Sequence, residues 1–89
     1  MADTIRQIKE RINCLDYCLR KNLPIHKSGD RCVSPLRPGA TNKSSFVVFE
    51  DFWYDHGAAQ GGDVIDLCAL LEHNGDRRSA IHALAHLTG

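Results

Sequence analysis

Apolar positions recur with two different periods along this chain. Ile5, Ile8, Ile12 and Leu15 fall at helical spacing. Thr4 with Gln7 three positions on has the form of a capping box, so the pattern predicts a first helix over 4–12. Asn13 is placed to cap a second short helix over 14–21, with Asp16 in its first turn. Pro24 ends that region and biases Leu23 toward extended backbone. Leu23–Lys27 and Arg31–Val33 then read as two short strands around a Lys27-Ser28-Gly29-Asp30 turn. Residues 34–45, with Pro35, Pro38, Gly39, Thr41 and Asn42, read as a loop.

The period changes at Ser45–Phe49, which is β-branched and aromatic. Its predicted partner is Phe52–Tyr54, across a Glu50-Asp51 turn. Alternation sets Phe46 and Val48 on one face and Val47 and Phe49 on the other. Gly57–Gly62 reads as a flexible connector. Asp63 caps a helix bearing Val64, Leu67, Cys68 and Leu71 on one face, and Asn74-Gly75 stops it. Asp76 caps a last helix striped by Ile81, Leu84 and Leu87. The expected fold class is α+β: a small antiparallel sheet flanked by N-terminal and C-terminal helices.

Composition adds bounds to this picture. Eighty-nine residues, 43% of them hydrophobic and 25% charged, are enough for one globular domain over 1–89. No apolar run reaches the roughly 18 residues of a membrane span, so no membrane partner is expected. The start, Met-Ala-Asp-Thr-Ile-Arg, is not a signal segment. Reduced, structural cysteines then fit a cytoplasmic protein.

The formal net charge of zero hides a segregation. Residues 20–43 hold six cations against Asp30 alone, a net +5, and residues 44–89 hold two against seven carboxylates, a net −5. A neutral chain with a basic middle can present one positive face.

Single-stranded nucleic acid is held by aromatics that stack bases and by cations that follow phosphates. Here the cations Lys27, Arg31, Arg37 and Lys43 precede the aromatics Phe46, Phe49, Phe52, Trp53 and Tyr54. Phe46 and Phe52 are expected in the core, because Phe is mostly buried. Trp53 and Tyr54 are the expected stacking residues, since a polar handle tolerates partial exposure. His56 beside Asp55 reads as a solvated turn residue.

Catalytic chemistry finds no foothold: no nucleophile with an evident base, no Walker loop and no polymerase-type acidic cluster. Cys14 with Cys18, and His82 with His86, each share a helical face at i,i+4 spacing, and Cys32 and His56 are further metal donors. No Cys-x-x-Cys accompanies them.

The order of elements resembles the zinc-ribbon domain of bacterial DNA primases. Ile8-Lys9-Glu10-Arg11-Ile12-Asn13 through Leu23-Pro24-Ile25-His26-Lys27-Ser28-Gly29 resembles that domain's opening. Lys43-Ser44-Ser45-Phe46-Val47-Val48 resembles its central strand, Phe52-Trp53-Tyr54 the strand after it, and Gly61-Gly62-Asp63-Val64-Ile65-Asp66-Leu67 its helix entry. The likeness runs from about Thr4 to Leu87.

The family binds one zinc through a Cys-x-x-His pair and a Cys-x-x-Cys pair. Alignment sets the first pair on Ser34 and Arg37 or on Leu36 and Gly39, and the second on Asp55 and Ala58. A closed zinc site needs four N or S donors, so zinc is expected to be absent and the ribbon degenerate. Leu36 is expected to contribute to the packing that replaces the metal.

The resemblance implies a non-catalytic module that contacts single-stranded template DNA, in the replication of a phage or other mobile element. A second reading keeps the fold but docks a replicative helicase or polymerase. A third makes these residues the N-terminal part of a longer primase or other nucleic-acid enzyme.

Overall fold

The computed structural model describes residues 2–89, without the side chain of Ala2. Four helices and a four-stranded antiparallel sheet build it: α1 Ala2–Arg11, α2 Cys14–Arg20, β1 Asp30–Cys32, β2 Phe46–Val48, β3 Trp53–Asp55, β4 Gln60–Gly62, α3 Val64–Glu72 and α4 Arg77–Thr88. The strands lie in sequence order, β1-β2-β3-β4. This is the α+β arrangement that the two periods anticipate.

Three helix starts are set by the side chains expected to set them. Asn13 and Asp63 each accept a bond from the amide three residues on, and Asp16 and Asp66 reach back to close two capping boxes. Asp76 accepts from the amides of Arg78 and Ser79. The first helix departs from expectation. It begins at Ala2, so Thr4 lies inside it and caps nothing.

Two further corrections concern strands. Leu23–Lys27 is not a strand, although Ile25 in its middle is completely buried. The Asp30 carboxylate accepts from the amides of His26 and Lys27, and Gly29 donates to Val48. Those amides are spent on a turn, and β1 pairs with β2 instead. Conversely, Gly57–Gly62 is not a mere connector, because Gln60–Gly62 pairs with β3.

The core joins one face of the sheet to every helix. Phe46, Val48 and Trp53 pack with Ile8, Ile12, Tyr17, Ile65, Leu67 and Leu84, all essentially inaccessible to solvent. Leu36 packs against this cluster from the loop, as expected. Leu87, expected on the apolar stripe of α4, stays 48% exposed, because the buried face of that helix runs through Ile81, Leu84, Ala85 and Thr88 and leaves position 87 beside it. A salt-bridged set, Lys9–Asp63 at 2.9 Å with Arg77 on both Asp63 and Asp66, ties α1 to the starts of α3 and α4.

Candidate nucleic acid interface

Antiparallel register decides which side chains the sheet turns outward. Arg31, Val47, Tyr54 and Gly61 form one cross-strand row. The adjoining rows are Cys32, Phe46, Asp55 and Gln60 on one side, and Asp30, Val48, Trp53 and Gly62 on the other. Successive rows face opposite sides of the sheet. Since Phe46, Val48 and Trp53 are core, the Arg31 row faces away from the helices.

The outer face carries a line of rings. Phe49 is 38% and Phe52 44% exposed, and the two stack at 5.5 Å between centroids. Phe52 lies 6.5 Å from the ring of Tyr54, which meets His56 edge-on at 4.8 Å. Beneath them Val47 is buried without belonging to the core cluster.

Charge on this face is uneven. Glu50 and Asp51 occupy the exposed hairpin tip next to Phe49 and Phe52. On the β1 side, Arg31 donates to the Ser44 carbonyl at 3.0 Å and shares a shallow groove with Pro24, Val33 and Lys43. Lys27 is exposed in the turn leading to β1.

Two of the expected nucleic-acid contacts are placed elsewhere. Trp53 is completely buried; its indole N–H donates to the Asp63 carbonyl at 2.9 Å and its ring packs on Phe46. It cannot reach a base. Arg37 is turned inward, its guanidinium donating twice to Asp55 at 3.0 Å.

Phe52, expected in the core, takes the exposed place that Trp53 was expected to fill. The signal was present in the chain: the two-residue Glu50-Asp51 turn pairs Phe49 with Phe52 and Val48 with Trp53. Placing Val48 in the core therefore places Trp53 there too.

On the inner face, three of the positions that the resemblance assigns to metal ligands, Ser34, Arg37 and Asp55, form a polar clip. Asp55 is completely buried on β3. It accepts from the Ser34 hydroxyl at 2.6 Å, twice from Arg37 and once from the Gly57 amide at 3.0 Å. These partners outweigh burial and hold its carboxyl below the usual range.

Of the two alignments, Ser34 with Arg37 is the pair that converges on Asp55. Leu36 packs on the core, and Gly39 sits in a turn at φ 82°. Ala58 is exposed, and its amide donates to the Asp55 carbonyl. A guanidinium stays charged at all accessible pH and ligates no zinc, so the residues present do not fit the metal.

The other donors do not gather into such a site. Among the described residues, the group with three ligand atoms within 4.8 Å of one another is Cys68, Glu72 and His73. Glu72 already accepts from the Tyr17 hydroxyl and from Lys21 at 2.5 Å, which puts an ammonium where a cation would bind. All four cysteines are free and buried. Burial pushes the Cys14 and Cys18 thiols up to about 12, away from reactive thiolate. His82 and His86 are exposed on α4.

No helix among the described residues is long and apolar enough to cross a membrane. The chain matches no protein-family model, no curated protein and no solved structure.

Proposed function

We propose that this chain is a non-catalytic module that binds single-stranded DNA through the outer face of its sheet. The observation that carries the reading is the outer-face ring line of exposed Phe49 and Phe52, half-buried Tyr54 and exposed His56 beside Arg31. Stacking on such rings is open only to unpaired bases, and the cations on the β1 side supply the phosphate attraction. Lys27, Arg31 and Lys43 are the phosphate contacts, Phe49, Phe52 and Tyr54 the base contacts, and Arg37 and Trp53 are structural.

This reading is in keeping with the likeness to the primase ribbon, whose role is template recognition, and it assigns the chain to replication in a phage or mobile element. In it, the Ser34–Arg37–Asp55 clip takes the place of zinc and joins the same two turns without a metal.

Titration of a labelled oligonucleotide at two salt concentrations tests the proposal. Binding at low salt that weakens as salt rises, by about 0.7 in log K per log salt for each phosphate contacted, supports it. Absence of binding at low salt overturns it. Capture of a helicase or polymerase by the same face, blocked by Phe52→Ala, would instead support the docking reading.

A further inference from the structure

The outer face has a definite size, and Gly61 sets part of its shape. A Cβ built on Gly61 would lie 2.8 Å from Tyr54 Cδ1, 3.4 Å from Phe52 Cε2 and 2.6 Å from the Trp53 carbonyl oxygen. The first and last approaches are closer than real Cβ contacts come. The rings of Phe52 and Tyr54 therefore extend across β4, over ground that a side chain at position 61 would occupy.

Along the hairpin, the rings divide into two surfaces. One is the parallel Phe49–Phe52 pair, tilted by only 12°. The other is Tyr54, backed edge-on by His56 at 73°. The two are separated by 6.5 Å between Phe52 and Tyr54, at a tilt of 33°. The acidic tip at Glu50 and Asp51 closes the far end to phosphate by like charge, and Arg31 lies in register with Tyr54 across Val47.

We infer that this face seats two consecutive unpaired bases, one on the Phe49–Phe52 pair and one on Tyr54, with the linking phosphate on the Arg31 side and Gly61 as the positioning residue. The inference rests on the proposed nucleic-acid reading and adds a footprint to it. Every base has a face to stack, so the seat takes bases by count more than by sequence.

Twelve-residue abasic DNA strands carrying one, two, three or four adjacent thymidines test it at constant phosphate charge. The second thymidine should tighten binding by about 5- to 150-fold, the range of one base–aromatic stack. The third and fourth should add less than about twofold each. Gly61→Ala should remove the gain from the second thymidine while leaving the salt slope unchanged.

Should Gly61→Ala fail to fold, Tyr54→Leu keeps the glycine and removes the second surface, with the same loss expected. Equal gains from each added thymidine, or a full gain in the folded Gly61→Ala or the Tyr54→Leu protein, would overturn the seat while leaving the interface. No binding of any strand, including a fully based twelve-mer, overturns the interface itself and the seat with it.

Discussion

The two faces of this small sheet share the same strands and use aromatic residues oppositely. On the inner face, Trp53 and Phe46 are completely buried against helices, and the polar groups there are fully partnered around Asp55. On the outer face, Phe49 and Phe52 stack on one another in solvent. The contrast teaches that side-chain type does not assign a role in a hairpin: register does. A one-residue shift exchanges every side chain between core and surface.

Breaking each face separately gives the contrast a measure. Trp53→Ala empties a buried aromatic site and should cost about 3–5 kcal/mol, enough to unfold much of so small a domain. Urea unfolding followed by circular dichroism checks this. Phe52→Ala, at a half-exposed place, should cost only about 1 kcal/mol, from the lost stack on Phe49. If Phe52→Ala were the more damaging of the two, the assignment of faces would be wrong.

Acid should act next most strongly, through the paired carboxylates. Asp55, Asp63 and Glu72 are held below their ordinary carboxyl range by Arg37, by Lys9 and Arg77, and by Lys21 and Tyr17. Each contributes stability that is complete above its unfolded value near 4 and is lost as pH falls through the lower folded value. The urea midpoint should therefore be level from pH 7 to about 5 and decline below about 4. A midpoint that rises in acid contradicts the pairing.

Asp55→Ala isolates the clip. It leaves Ser34, the Gly57 amide and Arg37 without their shared acceptor and should cost about 1–3 kcal/mol. A chelator should leave the parent's thermal unfolding unchanged, because the clip in place of zinc needs no ion. Metal retained through dialysis at about one equivalent would contradict that part of the proposal.

The smallest effects are expected at the cations of the outer side. Arg31→Ala and Lys43→Ala should each lower the salt slope of oligonucleotide binding by about 0.7, with little change in stability. Arg37→Ala should do the reverse, weakening the fold while leaving the slope unchanged.

Much of this was legible in the chain. The caps at Asn13, Asp63 and Asp76, the hairpin across Glu50-Asp51 and the core places of Phe46 and Val48 follow from local chemistry and alternation. What escaped depends on partners far along the chain. Gln60–Gly62 has no side-chain pattern of a strand; it is one because β3 offers it a hydrogen-bonding edge. Leu23–Lys27 has the composition of a strand, but its amides are captured by Asp30. Arg37 reads as a surface cation until Asp55, eighteen residues on, is found beside it. Trp53 has the amphipathic character of a surface ring, but the register of its own hairpin sets it opposite Val48 in the core.

The most direct test of the outer-face assignment is amide chemical-shift mapping on the labelled protein as a single-stranded oligonucleotide is added. The account predicts shifts confined to Lys27, Arg31, Lys43, Val47, Phe49, Phe52, Tyr54, His56 and Gly61, with α1, α2 and α4 unmoved. Shifts centred on the exposed Leu19 and Leu87 of the helices, with the outer sheet face silent, would contradict it.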